Sequence, residues 1–129
     1  MKEIFKRGDI KQYKTVVKPE DVARFHGDAV HHVYSTFALA RDAEWTTRLF
    51  ALDMKGDDEE GVGTLLEIRH HGPAFVGEAL MFTGTFEKVS DGEVLCSFEA
   101  HAGTRLIASG RTGQRILKVE KIRSIFGHG

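Results

Sequence analysis

The sequence holds one cysteine and two prolines, and no apolar run in it approaches the ~20 residues that span a bilayer. A lone thiol, Cys96, cannot close an internal disulfide, which fits a reducing, cytoplasmic setting. Its place in an alternating apolar pattern predicts a buried and inert side chain. The stretch from Met1 to Arg7 lacks the apolar segment of a secretory signal, so none is expected. Neither sign of charge dominates: the net charge is −1, with acids and bases interspersed. That excludes the electrostatic footprint of a nucleic-acid binder. The basic segment Lys118 to Arg123 alternates with Val119, Glu120 and Ile122, the pattern of a solvated strand face. With no repeat, linker or low-complexity tract, the 129 residues, 41% hydrophobic and 29% charged, are expected to form one domain, 1–129, around one core.

From Val33 to Met54 the chain also lacks proline and glycine. Within that stretch Leu39, Ala43, Thr47, Phe50 and Met54 recur at steps of four and three, the period of a buried helical stripe. A helix of this length is ~30 Å long, enough to cross a small sheet. The glycine and acidic cluster at Lys55 to Gly61 ends it. Before the helix, Lys11 to Lys18 reads as a strand and Pro19 to Asp28 as a connector. After it come strands at Val62 to His71, Glu78 to Val89, Val94 to His101 and Thr104 to Val119, the last interrupted at Gly110 and Gly113. Their separators are short, with Ser90-Asp91-Gly92-Glu93 a strong hairpin signal, so the strands are expected to pair antiparallel. One long helix on an antiparallel sheet of about five strands is an α+β architecture.

Three side chains then draw attention. Thr36 stands near the helix start, Glu44 in its middle beside the small residues Ala40, Ala43, Thr47 and Ala51, and His70 at the end of the following strand. Each has a plain alternative. Hydroxyls cap helices, a glutamate with Arg41 and Arg48 in helical reach forms ion pairs, and strands carry ordinary histidines. The pairs His31-His32 and His70-His71 do not make a metal site, because adjacent strand residues face opposite sides. Thr36 and Glu44 lie ~12 Å apart along a helix. Gly63 and His70 lie ~23 Å apart along a strand. One small substrate meets all of them only if two subunits pair about a two-fold axis, which makes a homodimer, or a dimer of dimers, the expected active unit.

At this point the chain resembles the hot-dog-fold acyl-CoA thioesterases, and most of all the fluoroacetyl-CoA thioesterase-like family. The resemblance runs from about Arg7 to Lys121. It rests on Val33-x-x-Thr36 with Glu44-Trp45 following, on Gly63-Thr64 with His70 seven residues after the glycine, and on Ile107-x-Ser109-Gly110 leading to Glu120-Lys121. It implies a hot-dog fold in which the sheet wraps the helix. It also implies catalytic roles for Thr36, Glu44 and His70, and a substrate-contacting backbone at Gly63. The family's substrate-contacting arginine falls on Gln114, with Arg115 adjacent, and its gating phenylalanine falls on Val30. These two departures argue against fluoroacetyl-CoA as the substrate while leaving thioester hydrolysis in place.

The residue types suit that chemistry without a metal or cofactor. A thioester yields to an aligned water or nucleophile once the tetrahedral oxyanion is stabilised. Glu44 is a candidate base or nucleophile, and the imidazole of His70 a candidate proton shuttle. Thr36 would position water or the carboxylate. Two other readings stand beside this one. Phe25-His26-Gly27-Asp28 followed by His31-His32 is similar to hot-dog enoyl-CoA hydratases, though the expected Asn-Pro is missing. A non-catalytic hot-dog protein that binds acyl-CoA is the third. For coenzyme A the candidates are Arg111, Arg115 and Lys118, each equally a solvated surface charge. Phe50, Met54, Phe75 and Phe82 are either an acyl tunnel or core.

Overall fold

The computed structural model describes residues 1–25 and 28–127, with the side chains of 24–31 outside that description. The chain opens with strand β1 (Ile10–Val16), a 3₁₀ turn at Pro19–Asp21, and two short strands, β2 (Val22–Phe25) and β3 (Asp28–Tyr34). Helix α1 (Thr36–Met54) follows, then β4 (Glu59–His70), β5 (Ala79–Ser90), β6 (Glu93–Ala102) and β7 (Arg105–Lys118). Helix α2 (Val119–Phe126) ends the described chain. The main sheet has the order β1-β5-β6-β7-β4 with every neighbour antiparallel, and β2 and β3 form a separate pair. Among the described residues no helix is long and apolar enough to cross a membrane.

Helix α1 buries the stripe that its period announces: Leu39, Ala43, Thr47, Phe50 and Met54 are all sealed from solvent. It crosses the sheet where β5 has Gly84, at which a methyl group would lie 3.2 Å from Thr47 Cγ2. Thr112 Oγ1 on β7 donates to Thr47 Oγ1 at 2.7 Å and satisfies both buried hydroxyls there. Phe82 and Phe98 anchor one half of the core. Phe50, Met54 and Phe86 anchor the other, with Phe5 edge-on to Phe50 at 4.9 Å between ring centroids. Phe50, Met54 and Phe82 are therefore core, whereas Phe75 is half exposed.

Several sequence expectations shift. The helix starts at Thr36 because Ser35 is its cap, its hydroxyl accepting the Ala38 N–H at 3.0 Å; Val33 and Tyr34 belong to β3. The connector at Pro19 to Asp28 contains β2, whose two register shifts against β3 spoil any clean alternation. Lys118 to Arg123 is not a strand face: from Val119 it is helical, and Val119, Ile122, Ile125 and Phe126 keep the three-and-four spacing of a helix face. Strand β7 runs uninterrupted through Gly110 and Gly113. These glycines serve close approach instead, since a methyl group on Gly110 would lie 1.9 Å from the Glu67 carbonyl oxygen of β4. The turn at Asp91-Gly92 has positive φ at both residues, 52° and 78°, as a tight two-residue hairpin requires.

Candidate active site

The sheet curls so far around α1 that its two edge strands approach the same cavity. Tyr13 of β1 and Gly63 of β4 both line a space of about 440 Å³ over the helix's outward side. The helix contributes Arg41, Asp42, Glu44, Trp45 and Arg48, and β7 contributes Gln114. Glu44 is exposed, and among the described residues its carboxylate accepts no hydrogen bond and forms no ion pair. The ion-paired glutamate that Arg41 and Arg48 suggested is absent because other carboxylates hold both arginines. Arg41 contacts Asp21 and Asp42, each at 3.1 Å. Arg48 contacts Glu60 at 3.4 Å.

Two glycines make room beside these groups. Gly61 and Gly63 lie two apart on β4. A methyl group on Gly63 would sit 4.0 Å from Glu44 Oε2. One on Gly61 would sit 2.9 Å from Gln114 Oε1 and 3.4 Å from Arg48 Nη1. Gln114 is the register partner of Gly63 across β4 and β7, and it is almost fully buried. Arg48 Nη1 donates to Gln114 Oε1 at 3.5 Å and to the Gly61 carbonyl at 3.3 Å.

A buried network lies on the other flank of the cavity. The Tyr34 hydroxyl donates to the Asp42 carboxylate, and Arg41 joins Asp42 to Asp21. Burial, followed by the bond to Asp42, pushes the Tyr34 phenol far above its ordinary pKa, so it stays a donor. The hydrogen bonds that Arg41 donates to Asp42 are the main cause that raises the arginine's own pKa further. Asp21 also accepts the Lys18 N–H, at 3.1 Å, and its carbonyl accepts the Ser35 N–H at 2.8 Å. The network thus locks the entry to α1 against the chain before β2. Sequence spacing missed it because Asp21 and Tyr34 reach α1 only through the tertiary fold.

Of the sequence-derived site residues, one chain brings together Glu44, Gly63 and Gln114. Thr36 is exposed at the first turn of α1, and His70 is exposed at the far end of β4; neither lines the cavity. Arg115, one residue on from Gln114, faces the other way and donates to the Asp91 carbonyl in the β5–β6 hairpin. Arg111 pairs with Glu87 and Lys118 with Asp58, at 2.9 and 2.8 Å. His71 Nε2 lies 2.7 Å from Ser109 Oγ. The Val30 side chain lies outside the described residues, as do those of Phe25, Asp28 and His31; His26 and Gly27 lie outside them altogether.

Comparison with known proteins now places the chain. The family model for the fluoroacetyl-CoA-specific thioesterase, FlK, matches residues 17–120. A hypothetical protein from Thermus thermophilus, described as a thioesterase superfamily member, superposes with a TM-score of 0.91. It is 32% identical over 96% of this chain and 92% of that one. The fluoroacetyl-CoA thioesterase FlK has a TM-score of 0.86 at 18% identity, over 95% of each chain. A hot-dog-like protein from Thermanaerovibrio acidaminovorans has a TM-score of 0.88 at 19% identity, over 96% of this chain and 92% of that one. The latter two likenesses speak for the fold. No curated protein matches the sequence. The chain belongs to the fluoroacetyl-CoA-specific thioesterase family, a family of thioester hydrolases, and has the hot-dog fold.

Proposed function

We propose that this protein hydrolyses a small or medium acyl-CoA to the free acid and coenzyme A, in the cytoplasm and without a metal, at a site shared by two subunits of a homodimer. The observation that carries the reading is the Glu44 carboxylate. It faces Gly63 in a cavity lined by charged and aromatic side chains, and among the described residues no donor or cation is spent on it. A carboxylate so placed is available to accept a proton from water as the water attacks the thioester carbon. The sulfur leaves as coenzyme A thiolate and takes up a proton, for which a histidine near neutrality suits.

His70 and Thr36 join this site through the partner subunit. Strand β4 is an edge of the sheet, twelve residues long, with no second strand beside it among the described residues. Antiparallel pairing of β4 with its own copy, about a two-fold axis near Leu66 and Glu67, sets His70 of the partner subunit opposite Gly63 and so beside Glu44. Thr36, on the first turn of α1 eight residues before Glu44, is proposed to reach the same site from the partner subunit.

Thiol release from short, medium and aryl acyl-CoAs tests the reading, with wild type compared against Glu44→Gln and His70→Ala. Both side chains are exposed, so the variants should fold normally. Loss of a positioned acid or base is expected to cut kcat/KM by ~10²-fold or more. No release from any thioester, or release that survives both changes, contradicts the proposal. Hydration of an enoyl-CoA without thiol release would identify a hydratase instead.

A further inference from the structure

The cavity holds one group that neither packing nor the hydrolysis step requires. Gln114 is a polar residue buried to within a few percent, and its amide is held on one side only. A guanidinium has donors and no acceptor, so the amide atom facing Arg48 is the oxygen. The nitrogen therefore points away from Arg48 and finds no acceptor among the described residues. It is not sealed in, because among the described residues no buried side-chain nitrogen or oxygen lacks a partner. Gln114 lines the cavity, so the cavity is where that donor opens. Gly61 is part of the same device: a methyl group there would press on the amide oxygen at 2.9 Å.

Position and charge then define what the donor meets. Gln114 pairs in register with Gly63, which puts their backbones about 5 Å apart, one interstrand spacing. Gly63 is the residue beside Glu44, so a group on Gln114 nitrogen lies a few bonds from a carbon that Glu44 attacks through water. The charged groups lining the cavity cancel: Arg41 and Arg48 stand against Asp42 and Glu44, and both arginines are already paired. A carboxylate on the acyl chain would find no unspent cation there among the described residues and would face Glu44 besides. A neutral oxygen meets no such cost, while a plain alkyl chain leaves the buried N–H unpaired.

We propose that Gln114, oriented by Arg48, selects the acyl group, and that the favoured thioester carries a hydroxyl or keto oxygen close to its thioester carbon. This rests on the hydrolytic reading above and names its substrate class. Arg48 is a positioning residue in this scheme; Gln114 makes the contact.

The test compares butyryl-CoA with each enantiomer of 3-hydroxybutyryl-CoA and with acetoacetyl-CoA, as ratios of kcat/KM within one protein. Wild type is expected to favour at least one oxygenated thioester by about tenfold, the scale of one well-made hydrogen bond against an unpaired donor. In Gln114→Met that ratio falls to about two or below, and Arg48→Met lowers it as well. The double variant falls no further than the single ones, since both act through one amide. A structural role would slow all substrates alike and leave the ratio standing, which overturns the proposal. So does a wild-type ratio near one. Should Gln114→Met fail to fold, Arg48→Met leaves the amide in place and still reads its orientation. Should no thioester release thiol, the hydrolytic reading fails, and the same ratio is taken as Kd for the thioether analogues of butyryl- and 3-hydroxybutyryl-CoA. A tenfold preference there upholds the role of Gln114, and equal affinity removes it.

Discussion

At one edge of the sheet β1 runs for seven residues and carries Lys11 and Lys14; at the other β4 runs for twelve and carries no charge from Gly61 to Leu66. Lysines on a short strand are a standard guard against edge-to-edge pairing, and Lys11 is further tied down by Asp53 on α1. Strand β4 lacks such a guard over half its length and leaves Leu66 40% exposed at its centre. Both edges border the cavity, yet half of β4 lacks the charged guard that β1 carries. An edge that is charge-free over half its length and has no outer neighbour among the described residues calls for a cover, and the proposed second copy of the same strand would supply one with its hydrogen bonds in register.

That contrast can be broken at its centre. Leu66→Arg puts a charge where the two copies of β4 would meet, and it is expected to yield monomers in sedimentation and to lower thiol release by ~10²-fold. Lys14→Glu on β1 should change neither assembly nor turnover. If Leu66→Arg remains dimeric and active, or if Lys14→Glu dissociates the protein, the assignment of the two edges is reversed or wrong.

A second contrast is between glycines that hold β4 in place and those that merely admit α1. Gly110→Ala drives a methyl group into the Glu67 carbonyl, which only separation of β7 from β4 relieves. It should cost about 3 kcal/mol or more in denaturant unfolding. Gly84→Ala meets a threonine methyl at 3.2 Å, a tighter than ordinary contact that small shifts of α1 absorb, and should cost about 1 kcal/mol. Equal losses at the two positions would mean that β4 is no more tightly held than the helix.

The smallest effect belongs to the sheet's middle, away from both edges. Burial pushes the Cys96 thiol up to about 12. Its folded pKa is thus raised, so its contribution to stability is intact below the unfolded value of ~8.5 and is lost as pH rises from there toward 12. Unfolding free energy should decline over that window more steeply in wild type than in Cys96→Ala, by at most ~1.4 kcal/mol per pH unit. Parallel slopes in the two proteins would show the thiol is not held neutral. Iodoacetamide at pH 8 should leave native Cys96 unmodified.

Much of the fold was legible because its signals are local. The α1 stripe follows from a period, the β5–β6 hairpin from Asp-Gly, and antiparallel pairing from short separators. The site was legible in parts. Glu44, Gly63 and Gln114 do share a cavity, and the resemblance to the thioesterase family marked each of them. What escaped is what depends on partners distant in sequence. Arg41 and Arg48 read as partners of Glu44 by helical spacing, yet Asp21, Asp42 and Glu60 outcompete it for them. Gly110 and Gly113 read as breaks because a sequence does not show the neighbouring strand that presses on them. The short strands β2 and β3 escaped because bulges erase alternation, and α2 because Val119 and Ile122 alone, between Lys118 and Arg123, are too few to display the period that Ile125 and Phe126 complete.

The central claim is that Glu44 of one subunit works with His70 of the other, and mixing two inactive variants tests it most directly. Glu44→Gln and His70→Ala are unfolded together, refolded together, and assayed for thiol release. A shared site predicts that half the dimers formed are hybrids, each with one intact pair, so that about a quarter of wild-type activity returns. If the mixture stays as inactive as either parent, the two residues do not meet across the β4 seam.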